Sequence, residues 1–247
     1  MGRSFSIRRG LRIWQCLILL TGFAWASTGA TQAVTDRYRS VPVNADGIGK
    51  TYMGRQIAHV MGWQGAGWLE REEREREERS DLLMRILALK PETVVADVGA
   101  GTGYYSRRIA DLIGPTGKVY AVDVQPEMVK LLQSVSNQRA YSHIMPVLGG
   151  VNDVKLPAAS VDVAIMVDVY HELEFPYEVL ASVARAVKPG GQVVFVEYRA
   201  EDPRVPIKPL HKMSEAQIRR EAELHPLVWE RTANDLPWQH VVVFKRK

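Results

Sequence analysis

Two short stretches hold the residues whose types and spacing could do chemistry. The first runs Val94-Val95-Ala96-Asp97-Val98-Gly99-Ala100-Gly101-Thr102-Gly103, where an apolar, β-branched run gives way to alternating glycines and then to a helical pattern. Such glycines let a chain turn sharply and approach a ligand with no Cβ in the way. The helix that follows offers free N–H groups at its N-terminus. The spacing is G-x-G-x-G and differs from the G-x-G-x-x-G of dinucleotide binding. A second apolar run ends in Asp123-Val124. A carboxylate at that place can accept hydrogen bonds from both hydroxyls of a ribose; the competing reading is a strand-end cap with no ligand. The second stretch is Asp168-Val169-Tyr170-His171-Glu172, at the end of another apolar run. His171 is a candidate general base there, and Tyr170 a candidate to line a pocket or orient a reactant. A helix cap or an inert half-buried ring is the competing reading for His171. His211 and His225 have no partners at metal-ligand spacing, so no metal site is expected.

These residues need a scaffold, and the pattern from Lys90 onward supplies one. Apolar runs at 93–98, 118–124, 143–148, 161–167 and 192–196 read as strands. Stretches 104–113, 126–134 and 176–187 read as helices, the last stopped by Lys188-Pro189-Gly190-Gly191. Alternation of this kind predicts an α/β fold with a mostly parallel sheet covered by helices on both faces. Residues 214–224 read as a further helix, and 227–232 and 240–245 as two last strands. Upstream, residues 34–62 read as a loop-rich lead with a short helix near 56–61. Glu70 to Arg79 is a Glu/Arg run whose pairs Glu70/Arg74, Glu72/Arg76 and Glu75/Arg79 sit at i,i+4. Together with Leu82, Leu83, Ile86 and Leu87 it predicts one long helix, solvated along the charged part. Tyr104, Tyr105 and the tryptophans Trp63, Trp68, Trp229 and Trp238 read as core or pocket-wall aromatics.

Residues 1–12 are basic and 13–26 apolar and uncharged, followed by small residues; this is the three-part layout of a secretory signal peptide. Arg8-Arg9 gives it a twin-arginine aspect. The apolar run is short against the ~20 residues a spanning helix needs, and an uncleaved inner-membrane anchor is the alternative. Export to the periplasm is the expectation, with residues 1–33 as signal or anchor, 34–81 as an extension and 82–247 as the main domain. Four of the 32 basic residues, Arg3, Arg8, Arg9 and Arg12, lie in this leader, and the rest balance the 28 acids. The body thus has no electrostatic signature for nucleic acid. Cys16 also lies in the leader and is the chain's single cysteine, so no disulfide or cysteine-ligated metal is expected in the body.

As a set, these motifs resemble the class I S-adenosylmethionine-dependent methyltransferases, including C-methyltransferases of the ubiquinone/menaquinone type. The matching features are D-x-G-x-G-x-G at Asp97, Val122-Asp123 at a strand end, Val161 to Asp168, and Lys188-Pro189-Gly190-Gly191 before the fifth strand, with Val187 in place of a leucine. The resemblance covers roughly residues 82–247. It implies a Rossmann-like, seven-stranded, mostly parallel sheet with an antiparallel C-terminal strand, and S-adenosylmethionine as cofactor. Asp97, Gly99, Ala100, Gly101 and Gly103 would hold the methionine moiety, and Asp123 and Val124 the ribose side. Asn152 and Asp153 would lie near the adenine, and Asp168 near the sulfonium. The chain departs from the family at Gly149-Gly150, where an acid often follows the third strand. A small-molecule acceptor is expected ahead of a protein, with no nucleic acid, and a membrane only through an uncleaved leader. Acceptor contacts are expected from the chain before Glu70 and from the proline-bearing segment 199–213. Two other readings stay open: a non-catalytic S-adenosylmethionine-binding protein, and a nicotinamide-dependent oxidoreductase.

Overall fold

The computed structural model describes Met1, Gly2 and residues 37–247. The expectation of a signal or anchor falls on 1–33 and lies outside the described residues, apart from Met1 and Gly2. The chain divides between Arg37 and Tyr38, and the architecture below is that of Tyr38–Lys247. Among the described residues no helix is long and apolar enough to cross a membrane.

The unit begins with a three-stranded antiparallel sheet of β1 (Tyr38–Ser40), β2 (Gly47–Tyr52) and β3 (Arg55–Ala58). This corrects the loop-rich lead and the short helix near 56–61. The signal was Met53-Gly54, both at positive φ (47° and 92°), which close a two-residue hairpin that pairs Tyr52 with Arg55. Turns of that twist suit antiparallel strands.

Three short helices follow: α1 (Ala66–Leu69), α2 (Arg74–Glu78) and α3 (Ser80–Leu87). The single long helix expected here is broken at Arg79, which adopts φ 52°. The break is stabilised locally. Glu75 accepts from Asp81 N at 3.0 Å, at the N-terminus of α3, and Arg79 Nε donates to Asp81 at 2.7 Å. The expected pair Glu70/Arg74 does not form: Glu70 pairs with the distant Arg107 at 2.8 Å, and Arg74 pairs forward along its own helix with Glu78 at 2.8 Å. Arg74 and Glu78 are buried, so this part of the charge run is interior and not a solvated face.

The main sheet comprises β4 (Val94–Val98), β5 (Lys118–Asp123), β6 (Ile144–Leu148), β7 (Val161–Val167), β8 (Val187–Tyr198), β9 (Leu227–Ala233) and β10 (Gln239–Arg246). Between β4 and β5 lies α4 (Tyr104–Ile113), between β5 and β6 α5 (Pro126–Ser136), between β7 and β8 α6 (Pro176–Ala186), and before β9 α7 (Glu215–Ala222). Strand order is β6-β5-β4-β7-β8-β10-β9, parallel through β8, with β10 antiparallel to both neighbours. Both faces are buried, as the strand period of two shows. Val95, Ile165, Val194, Val196 and Val243 pack toward α3, α4 and α5. Their strand neighbours Ala96, Ala164, Val193, Phe195 and Phe244 pack toward α6 and α7. Lys188 to Gly191 does not precede the fifth strand as a turn. It lies within the start of β8, where the register against β7 shifts between Val161 and Val163.

Candidate active site

Parallel pairing aligns the carboxyl ends of β4, β5, β7 and β8 at one edge, with Val98 opposite Val122 and Met166, and Val167 opposite Val196. The strand order reverses between β4 and β7, and a crevice at such a point is where open α/β sheets bind ligands. Gly99 and Asp168 follow β4 and β7 directly, and Asp123 and Glu197 stand at the ends of β5 and β8.

A cavity of about 470 Å³ opens there, lined by Gly99, Gly101, Asp123, Gly149, Asp168 and His171 among others. That size suits a drug-sized ligand, since such pockets span ~300–1,000 Å³. Gly99 and Gly101 sit at φ 76° and 56°. A Cβ on Gly101 would stand 2.7 Å from Leu69 Cδ1, and on Gly99 2.4 Å from Val169 Cγ2. Both positions therefore favour glycine for conformation, and Gly99 needs it for clearance from the stiff Val169 side chain as well. Asp123 is fixed through both oxygens, Oδ2 accepting from Gly101 N and Oδ1 from Gln125 N, each at 2.9 Å. Burial pushes its carboxyl up, and these backbone donors oppose the rise. Each oxygen keeps acceptor capacity for a further donor.

Asp168 follows β7 at φ 54°. Gln239 Nε2 donates to its Oδ2 at 2.8 Å, while its buried Oδ1 has no partner among the described residues. Burial, and the carboxylates of Glu78 and Glu197, hold this carboxyl well above the usual range, against the pull of His171 and Arg74. A carboxylate with a spare buried oxygen at a cavity wall is suited to a cationic ligand group.

The chain from the end of β3 through α1 completes the wall with Met61, Trp68 and Leu69. Gln125 fastens it, donating to Met61 O at 2.9 Å and accepting from Trp63 N at 2.8 Å. The segment after β8 adds Pro206, Ile207, Lys208 and His211, and Lys208 pairs with Asp46 at 2.5 Å. Beneath, Glu78 accepts from Arg71, Arg74, Tyr105 and Tyr198; Arg74 and Tyr198 also line the cavity.

Of the site residues expected from sequence, Gly99, Gly101, Asp123, Val124, Asp168 and His171 line the cavity. Asp97 lies buried behind the loop and accepts from Ser106 Oγ at 2.6 Å. Ala100 is buried in the core, and Gly103 starts α4 at φ 83°. Asn152 and Asp153 are not in the wall: a tight turn pairs Gly150 with Asp153 and sends the Asp153 carboxylate to Lys155 N and Arg185. Gly149, Gly150 and Val151 take that place. Tyr170 is also away from the wall, fully buried with its ring edge-on to Phe195 at 4.9 Å; apolar packing places it in the core. Tyr104 and Tyr105 are core residues as well.

The general-base expectation for His171 needs correction. Its Nδ1 lies 2.6 Å from Glu197 Oε2 and its Nε2 3.2 Å from His211 Nδ1. Burial pushes the imidazolium pKa down, yet Glu197 and Glu172 lift it to about 10. Near neutrality the ring already carries its proton and cannot take another. Glu197, Glu172, His211 and Arg74 escaped the sequence reading. Glu197 was signalled, as a lone carboxylate ending the apolar run Val193 to Val196. The fold also gathers ligand atoms of His171, Glu172 and His211 within 4.8 Å of one another, which spacing along the chain does not reveal.

The sheet order, the glycine loop and the strand-end carboxylates together define the Rossmann-like methyltransferase fold. Residues 96–195 match a family described as "Methyltransferase domain". A solved S-adenosylmethionine-dependent methyltransferase from Aquifex aeolicus superimposes with a TM-score of 0.71 at 24% identity, over 76% of this chain and all of that one (100%). Demethylmenaquinone methyltransferase of Anoxybacillus flavithermus is 29% identical over 119 residues, 48% of this chain and 50% of that protein. Protein-L-isoaspartate O-methyltransferase of Aeropyrum pernix is 35% identical over 75 residues, 30% of this chain and 29% of that protein. The chain thus spans half the length, or less, of these curated relatives.

Proposed function

We propose that the protein is an S-adenosylmethionine-dependent methyltransferase acting on a small-molecule acceptor. The observation that carries this reading is one cavity lined at once by the glycine loop, by Asp123 and by Asp168 with its spare buried oxygen. These residues fit the cofactor by chemistry: Asp123 offers acceptors for two ribose hydroxyls, the loop offers backbone, and Asp168 offers a counter-charge for an ammonium group. When bound, S-adenosylmethionine supplies a methyl group already activated on a sulfonium. The chain's remaining task is to position the acceptor in line and keep water out. Met61, Trp68 and Leu69 on one segment and Ile207 on the other would do the excluding, and the concave apolar wall favours a small acceptor over a protein surface.

Calorimetric titration with S-adenosylmethionine and with a nicotinamide dinucleotide, on the wild type and on Asp123→Ala, tests the reading. Selective binding of S-adenosylmethionine is expected. The substitution should weaken it by ~10–100-fold, as loss of hydrogen bonds to a charged group implies. Absence of binding by folded protein, or indifference to Asp123→Ala, would refute it. We also propose that residues 1–33 direct export to the periplasm, on the strength of their basic, apolar and small-residue succession. Cell fractionation with N-terminal sequencing of the recovered chain checks this, and an uncleaved chain confined to the cytoplasm would contradict it.

A further inference from the structure

We infer that His171, Glu172 and His211 form a site for one divalent transition-metal cation, in the same cavity as Asp123, and that this cation engages an acceptor through an oxygen donor. The second half rests on the methyltransferase reading; the first does not.

The geometry is that of a coordination face. His171 Nε2, His211 Nδ1 and Glu172 Oε1 stand 3.2, 3.3 and 3.7 Å apart. A tetrahedral centre with bonds of ~2.0–2.1 Å has ligand–ligand edges of ~3.3 Å. The three atoms come from two separate pieces of chain, the turn after β7 and the turn near the end of the 199–213 segment, so helical periodicity does not account for their convergence. All three residues line the cavity, which leaves the remaining coordination positions open toward it. Three protein ligands with open positions mark reactive metal sites more than structural ones.

The surroundings hold each ligand in a ligating pose. Glu197 binds His171 Nδ1 at 2.6 Å, the carboxylate–histidine arrangement that orients the opposite ring nitrogen toward a metal. Met61 N donates to Glu172 Oε2 at 3.3 Å, leaving Oε1 for the site. Glu197 is itself anchored, accepting from Tyr170 N at 2.8 Å. The nearby cation Arg55 is paired with the buried Glu221 at 2.7 Å and donates to the backbone oxygen of His171 at 3.2 Å, not to a ligand atom. Ligation takes the lone pairs of His171 Nε2 and His211 Nδ1, so binding of a metal here releases protons, as metal binding to imidazole generally does. Two imidazoles and one carboxylate suit zinc, iron, cobalt or nickel better than magnesium or calcium, which prefer all-oxygen sets. A cation here offers its open positions to an anionic oxygen such as a phenolate, enolate or carboxylate.

The test uses the full-length protein after treatment with a chelator. Cobalt(II) is titrated in and its visible d–d absorption followed, with zinc(II) and magnesium(II) as competitors. One equivalent of cobalt should bind, displaced by zinc and not by magnesium. His211→Ala and Glu172→Gln, each checked for fold by circular dichroism, should weaken binding by at least about tenfold. No cobalt spectrum, or an unchanged spectrum in both folded variants, would overturn the site. 4-Nitrocatechol then probes the oxygen-donor half: its absorption should shift with the metal-loaded protein and not with the chelated one. An unshifted band would overturn that half. S-adenosylmethionine affinity measured on the same samples separates the two claims: binding of the cofactor without cobalt refutes the metal site alone, and binding of cobalt without the cofactor refutes the methyltransferase reading alone.

Discussion

Replacing Asp97 by asparagine should change how stability depends on pH. Asp97 is buried at the end of β4, directly before the glycine loop. Burial lifts its carboxyl from 3.8 to about 6, helped by the neighbouring Asp123 and opposed by Ser106 and Arg74. The folded protein therefore holds this proton more tightly than the unfolded chain does. The resulting stability is fully present below the unfolded value and is lost as pH rises through the folded one. A shift of ~2 units corresponds to about 3 kcal/mol, an appreciable part of the ~5–15 kcal/mol that a domain has in total. Asparagine carries no such proton. Its amide adds a cost of ~1–3 kcal/mol where it lacks an acceptor, but that cost does not vary with pH. Urea unfolding of both proteins at intervals from about pH 4 to about pH 8 separates the two effects. The variant should gain about 3 kcal/mol on the wild type across that range, most of it between the unfolded and folded pKa values. A stability difference that stays flat with pH, or moves the other way, would refute the reasoning.

Other consequences follow from the same geometry. Gly101→Val forces a β-branched residue to φ 56° and drives its Cβ against Leu69; a loss of ~1–3 kcal/mol in thermal unfolding and a collapse of S-adenosylmethionine affinity in calorimetry are expected. Glu78→Gln leaves buried Arg74 without its counter-ion, and an uncompensated buried charge should lower stability by ~3–5 kcal/mol in denaturant titration. Binding of a cationic cofactor should draw the raised Asp168 carboxyl back to its ionised form, releasing a proton. Calorimetry in buffers of different ionisation enthalpy should show that release, and affinity should rise with pH toward neutrality.

What the sequence disclosed, and what it hid, divides along the range of the interactions. The main sheet was legible because each strand is an apolar run bounded by its own turn, and both faces bury the same kinds of side chain. Gly99, Gly101, Asp123 and Asp168 were legible because each stands at a strand end, where backbone topology alone brings it to the edge. The Glu/Arg run misled because it is broken at Arg79, because Glu70 is drawn to the distant Arg107, and because Arg74 pairs instead with Glu78 in a buried site. The lead before it misled because its hairpin turn, Met53-Gly54, lacks the asparagine or aspartate that ordinarily marks one. His171 was found, but its role was misjudged: the decisive neighbours, Glu197 and His211, lie 26 and 40 residues away, and no local pattern connects them.

The fastening of Met61 and Trp63 to Gln125 joins two distinct parts of the chain. The stretch that matches the methyltransferase family is 96–195, and it supplies the glycine loop, Asp123, Asp168 and His171. Met61, Trp68, Leu69, Arg74, Ile207 and His211 lie outside it yet close the same cavity. Two parts of the chain thus meet across one small space: residues 96–195 bring the glycine loop and the strand-end carboxylates, and the flanks bring Met61, Trp68, Leu69 and Ile207. Exchanging the flanks between related proteins should transplant substrate preference, while the affinity for S-adenosylmethionine should stay with residues 96–195.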